Sequence, residues 1–261
     1  MLENEISDAA LSKVWHFTIG FARAGETPAA KGSGVLVKYK GLMGILTCGH
    51  VDTYVRSLKQ PIGLVRFNRG LAEQFGTIDL DEVFSHVAGE EPWERGSDDI
   101  AFINLPPHLV GNIAKDCVFL DIERNFVRPD PDSRSELLGV HAVFGLVEAF
   151  TGETTRQNKR ATTRLRGVLT PGKLLQIDHL NATLECFEEN IPTLPDSFGG
   201  TSGGGLWRVY VRKRDDGVFE AEHYRLLGIA SREDIALTPP QIACQGPGRI
   251  EMLLESVHSS S

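Results

Sequence analysis

Short apolar, β-branched runs broken by Gly, Pro, Asn and Asp recur along this chain, and that pattern predicts an all-β protein. In the first half, strands are predicted at Val14–Phe21, Gly34–Tyr39, Met43–Thr47, Ile62–Phe67, Ile100–Asn104 and Cys117–Asp121. In the second half they are predicted at Val140–Phe150, Arg164–Leu169, Leu174–Asp178, Leu206–Lys213 and Val218–Ala230. Asp215-Asp216-Gly217 supplies a hairpin turn between the last two. At the end the period changes: Ile250, Leu253, Leu254 and Val257 share one face of a helix over Gly248–Val257. Glu123–Glu136 holds Arg128-Pro129-Asp130-Pro131-Asp132-Ser133 and has no apolar periodicity, so it reads as the linker between two halves. Thr151–Thr163 is polar and basic and reads as a solvated surface loop.

Composition narrows the function classes. With 261 residues, 41% hydrophobic and 24% charged, the chain is an ordinary globular protein. A net charge of -8 argues against broad, sequence-independent nucleic-acid binding. No apolar run approaches the ~20 residues of a membrane-spanning helix, so no membrane partner is expected. The N-terminal Met1-Leu2-Glu3-Asn4-Glu5 lacks a charged-then-apolar secretory pattern. Cys48, Cys117, Cys186 and Cys244 are far apart and include no Cys-x-x-Cys pair, which points away from zinc and from a disulfide framework. The expectation is an intracellular, cytoplasmic protein with reduced thiols and neither metal nor organic cofactor.

The candidate chemistry lies in Asp196-Ser197-Phe198-Gly199-Gly200-Thr201-Ser202-Gly203-Gly204-Gly205-Leu206-Trp207. Glycines around a serine let the backbone turn tightly and present bare N–H groups to an oxyanion. Upstream stand Thr47-Cys48-Gly49-His50-Val51 and Ser97-Asp98-Asp99-Ile100-Ala101-Phe102, giving His, Asp and Ser in that chain order. Gly200-Thr201-Ser202-Gly203-Gly204 also satisfies the G-x-S-x-G elbow of α/β-hydrolases. That motif needs a helix after the serine and the order Ser, acid, His, and here an apolar strand follows instead.

At these residues the chain resembles the chymotrypsin/trypsin-like serine proteases. The strand leading to the family's histidine is matched by Gly44-Ile45-Leu46-Thr47-Cys48-Gly49-His50. The acid motif is matched by Asp99-Ile100-Ala101-Phe102-Ile103, and the strand after the nucleophile by Gly228-Ile229-Ala230-Ser231. The resemblance implies two six-stranded antiparallel β-barrels with a C-terminal helix packed on the second. Residues 1–123 would form the barrel carrying His50 and Asp99, residues 124–136 the linker, and residues 137–261 the barrel carrying Ser202. It further implies a His50–Asp99–Ser202 triad working through an acyl-enzyme, with Gly200 and Ser202 N–H groups as the oxyanion hole. Asp98, on the opposite side of the strand start, would face solvent.

Substrate-binding positions follow from the same resemblance. Asp196 stands where trypsin-like members carry the acid that floors the primary pocket, which would select Arg or Lys. Pro195-Asp196-Ser197 is also turn chemistry in its own right. Ser231 and Glu233 would line the same pocket, and Glu233 either narrows it or adds negative charge. The missing cysteines make the chain look like a Deg/HtrA-type bacterial protease domain without a PDZ module. By the same resemblance, Thr201 and the absence of an Ile-Val-Gly-Gly start lead us to expect no activation by a freshly cut N-terminus, and hence a site either preformed or ordered by a partner. The leading expectation is an intracellular trypsin-like serine endopeptidase acting on protein or peptide substrates. A protease-fold binding module inactive without a partner is the alternative, and an esterase using the same residues is a third reading.

Overall fold

The computed structural model describes residues 2–23, 29–68, 71–91, 93–94, 96–127, 137–152, 155–157, 160–187, 197 and 199–260. After an opening helix α1 (Leu2–Val14) come β1 (Thr18–Arg23), β2 (Ala29–Tyr39), β3 (Leu42–Thr47) and the helix α2 (Gly49–Ser57). The strands β4 (Ile62–Asn68), β5 (Leu71–Ile78), β6 (Phe84–Ala88) and β7 (Ile100–Asn104) follow. Helix α3 (Pro107–Ile113), the short strand β8 (Leu120–Asp121), helix α4 (Ile122–Val127) and β9 (Leu138–Leu146) lead into the second half. There β10 (Thr155–Gln157) and β11 (Arg160–Thr162) form a separate ribbon. The chain ends with β12 (Leu165–Ile177), β13 (Asn181–Cys186), β14 (Gly205–Lys213), β15 (Phe219–Asp234), β16 (Gln241–Gln245) and α5 (Pro247–Ser260).

The expected all-β chain of two six-stranded barrels is corrected in both respects. The strands form one 14-stranded sheet in the order β13-β16-β15-β14-β9-β12-β5-β4-β1-β2-β3-β7-β6, with β8 beside β2, and helices flank it. The joint is β12. Its Leu165 and Arg166 pair with Ala72 and Leu71 of β5, while its later residues pair with β9 and β13. One strand therefore belongs to both halves, and no local pattern announces such a long-range pairing. The sequence also predicts two separate strands here, Arg164–Leu169 and Leu174–Asp178, where a single one runs through Pro171.

Other elements depart from expectation in instructive ways. The run Val14–Phe21 is not one strand: Val14 ends α1, Trp15–Phe17 is a 3₁₀ turn, and β1 begins at Thr18. Cys117–Asp121 contributes only the two residues of β8. Helix α5 does bury Ile250, Leu253, Leu254 and Val257 as its periodicity predicts. It packs, however, against β6 and β7 of the first half as well as β15 of the second. Helix α4 occupies the start of the expected linker, and residues 128–136 lie outside the described residues. A large apolar core containing Phe21, Phe102, Phe144 and Trp207 runs across both halves. A smaller cluster of Val143, Leu184, Leu206 and Ile242 fills the second.

Candidate active site

Strand pairing assembles the site. In the antiparallel register of β3 and β7, Thr47 lies opposite Ala101, so the residues just beyond each strand end meet at the same edge. Beyond β3 the chain turns at Cys48 into α2, which carries His50 in its first turn; just before β7 stands Asp99. Asp99 holds the histidine at two points. Its Oδ1 accepts from the His50 backbone N–H at 3.0 Å, and its Oδ2 lies 2.7 Å from His50 Nδ1. The carboxylate side chain is 7% exposed and the imidazole 31%. With Nδ1–H given to the carboxylate, the neutral ring presents a lone pair at Nε2. His50 and Asp99 line a cavity of about 520 Å³ together with Trp93, Ser231, Arg232 and Gln245.

The glycine-rich loop is clamped from the other half of the molecule. Ser33 Oγ donates to the Gly200 carbonyl at 2.7 Å and accepts from the Leu146 N–H at 2.7 Å, while the Ser33 N–H donates to the Ser202 carbonyl at 2.8 Å. Thr47 Oγ1 donates in turn to the Ser33 carbonyl. Gly200 and Gly203 take φ of +90° and +86°, conformations that only glycine adopts cheaply. A Cβ on Gly203 would lie 2.0 Å from the Ser33 carbonyl oxygen, so the close approach itself demands glycine. Among the described residues, the N–H groups of Gly200 and Ser202 donate no hydrogen bond.

The expected serine triad, and with it the trypsin-like serine endopeptidase, is corrected by what surrounds His50. Among the described residues no hydrogen bond joins the Ser202 hydroxyl to the imidazole. Ser202 lines a second cavity, of about 270 Å³, with Gly199, Thr201, Ala230 and Glu233. The reactive side chain that clusters with the pair is Cys48, whose sulfur, a His50 ring nitrogen and an Asp99 oxygen all lie within 4.8 Å of one another. Because Cys48 caps α2 two residues before His50, the turn that places the base also places the thiol.

The state of that thiol is set by burial. Cys48 is fully buried, and its Sγ donates to the Ala230 carbonyl at 2.9 Å. Removal from water, and then the neighbouring Asp99 charge, push its pKa well above the ordinary thiol value. Cys48, His50 and Asp99 are also a donor set of the kind metals use. Yet two ligands of a tetrahedral zinc, each at ~2.0–2.1 Å, stand farther apart than the 2.7 Å between His50 Nδ1 and Asp99 Oδ2. That separation is a shared proton's, not a metal's.

Of the remaining expected residues, Asp196 lies outside the described residues. Ser231 lines both cavities; its Oγ donates to the Ala243 carbonyl at 3.2 Å. Glu233 accepts from Ser197 Oγ at 2.8 Å. Asp98 is half exposed, but it does not stand free in solvent, because its Oδ1 is 3.0 Å from Arg249 Nε. Sequence reasoning missed Ser33, Gln245 and Arg249. A signal for the last was present, since Arg249 sits four residues before Leu253 and so on the buried face of α5.

No known family profile matches the chain, and no curated protein matches it. Similar solved structures exist. A serine endoprotease from Yersinia pestis is 15% identical with a TM-score of 0.46, over 96% of this chain and 65% of that one. Rv3671c from M. tuberculosis, in an inactive form, is 10% identical with a TM-score of 0.43, over 97% and 93%. The thermostable serine protease AL20 from an extremophilic microorganism is 9% identical with a TM-score of 0.42, over 98% and 100%. At such scores the likeness stays one of outline.

Proposed function

We propose that this protein is a hydrolase of the chymotrypsin/trypsin-like protease superfamily that cleaves acyl bonds in protein or peptide substrates, with His50 as general base. One observation carries the reading: a buried carboxylate grips both the backbone and Nδ1 of a histidine whose ring opens onto a cavity. Such a grip fixes the tautomer and orientation of a base and stabilises the imidazolium it becomes. The N–H groups of Gly200 and Ser202 are proposed as donors to the developing oxyanion, supported by the positive φ of Gly200 and the tie from Ser33. The four cysteines are free and buried, which supports the finer proposals of a disulfide-free Deg/HtrA-like domain and a reducing compartment. Among the described residues no helix is long and apolar enough to cross a membrane.

The test is hydrolysis of a mixed panel of unfolded protein, peptide amide and ester substrates, comparing the parent with His50→Ala. Loss of turnover on every cleaved substrate is expected. Cleavage at the parental rate by the variant would remove His50 from the chemistry and the reading with it.

The Cys48 cluster favours a second reading, in which the thiol is the attacking group. Its burial sets a condition on that reading: the sulfur must first leave the Ala230 carbonyl. Because the thiol is held neutral, iodoacetamide at pH 8 is expected to alkylate Cys48 in the folded protein far more slowly than a free thiol. Cys117 and Cys186, pushed up to about 11 chiefly by burial, are expected to be slow as well. All four cysteines should react promptly once denaturant is added. Mass mapping of the alkylated peptides reads the outcome. Rapid alkylation of Cys48 that disappears in His50→Ala would instead establish a thiolate–imidazolium pair.

A further inference from the structure

We propose that Arg249 is a positioning residue for Asp99, acting through Gln245 and the loop at 96–98; the consequence for turnover rests on the hydrolase reading above. Arg249 comes from α5, far from the motif that carries the acid, and its side chain is 6% exposed. A guanidinium held out of water is costly unless its donors are satisfied, and here they are spent almost wholly on the chain leading to Asp99. Nη1 donates to the Ser97 carbonyl and to Gln245 Oε1, both at 2.5 Å, and Nη2 donates to the Gly96 carbonyl at 2.6 Å. Nε is 3.0 Å from Asp98 Oδ1 but too obliquely placed to hydrogen-bond it, so that contact is purely an ion pair.

Gln245 closes the arrangement. The oxygen that receives Arg249 also accepts the Asp99 backbone N–H at 3.3 Å. Its Nε2 donates to the Ser97 carbonyl at 3.3 Å and to Ser231 Oγ at 3.4 Å. Residues 96, 97, 98 and 99 are thus each tied to Arg249 or Gln245, on a segment that Gly96, with φ of +85°, would otherwise leave free to turn. The planar fork matters as well as the charge: three acceptors in different directions suit a guanidinium, and a lysine ammonium cannot reproduce that geometry. The structure therefore connects the C-terminal helix to the aim of the Asp99 carboxylate at His50.

The experiment compares the parent with Arg249→Met, Arg249→Lys and Gln245→Leu, each checked for folding by circular dichroism. Two quantities are read: the low-field proton resonance of the His50 Nδ1–H bonded to Asp99, and kcat and KM on a peptide the parent cleaves. In Arg249→Met the resonance is expected to broaden or vanish. Turnover should fall about 10–100-fold, as for other small displacements of catalytic groups, with KM changed less than about threefold. Arg249→Lys should recover less than half of the loss on a logarithmic scale. Gln245→Leu, which leaves the arginine in place, should lose the resonance too, and it serves if Arg249→Met does not fold. A folded Arg249→Met or Gln245→Leu with the resonance and kcat unchanged would make Arg249 a mere helix tie and overturn the inference. The resonance needs no turnover, so a parent that shows it but cleaves nothing overturns the hydrolase reading alone, and its loss in the variants still supports the positioning role.

Discussion

Asp99→Asn is expected to lower kcat by about 10³–10⁴-fold while leaving the fold and KM nearly unchanged. Asparagine is close to isosteric, and its carbonyl oxygen can still accept the His50 backbone N–H that Asp99 Oδ1 now accepts. The amide NH₂ then takes the place of Oδ2, 2.7 Å from Nδ1, and two donors face each other. The imidazole resolves the conflict by moving its proton to Nε2, which removes the lone pair that serves as base. It also loses the negative charge that steadies an imidazolium. The position is nearly sealed from water, so solvent cannot take over the anchor's role. Steady-state kinetics on the best-cleaved peptide decides the matter, with thermal melting to show that the variant is folded. Activity within tenfold of the parent would mean that the carboxylate orients nothing of consequence and that the chemistry lies elsewhere in the cavity.

The half of the site that was legible in the sequence is the half built locally. Gly44–His50 and Asp99–Ile103 each hold a functional residue and its supporting strand within a few positions, and the β3–β7 register brings the two together. Strands such as Leu36–Val37, Ile45–Leu46 and Ile100–Ile103 are continuous apolar runs buried on both faces, a pattern that composition alone reveals. What failed depends on partners distant in sequence. Cys48 lies within the local stretch that carries His50, but the contact that holds its thiol comes from the Ala230 carbonyl, far along the chain. Strand β6 exposes Phe84 and Val87 and half-buries the residues between them, so it carries little apolar signal. Strand β13 does alternate, with Ala182, Leu184 and Cys186 inward, and its period of two was there to be read. The bridging role of β12 was not, because it is a matter of registration with β5, almost a hundred positions away.

Arg56→Met is expected to be the most damaging substitution outside the site, because it strands a buried charge beneath the helix that carries His50. Asp52 is almost fully buried, and Arg56 Nε reaches both of its oxygens, at 3.2 and 3.1 Å. The rest of the guanidinium fastens α2 to the segment at 80–85. Nη1 donates to the Leu80 carbonyl, and Nη2 to the Val83 carbonyl at 3.1 Å and to Ser85 Oγ at 2.5 Å. Ser85 Oγ completes the circuit by donating to Asp52 Oδ1 at 2.7 Å. Methionine fills the stem's volume but leaves Asp52 with one hydroxyl as its remaining donor among the described residues. Among the same residues it takes the one donor from the Val83 carbonyl and leaves the Leu80 carbonyl with the Val83 N–H alone. Breaking one side of such a pair costs about 3–5 kcal/mol, which for a chain of this size lowers the melting temperature by roughly 10 °C. Replacing both partners, as Arg56→Met with Asp52→Leu, is expected to recover much of that loss, since the unpaired charge is then gone while the volume is kept. Urea denaturation of the parent, the two single variants and the double variant measures the coupling directly. A single-variant cost below about 1 kcal/mol would place the pair among ordinary surface ion pairs and show that water reaches Asp52 when the arginine is removed.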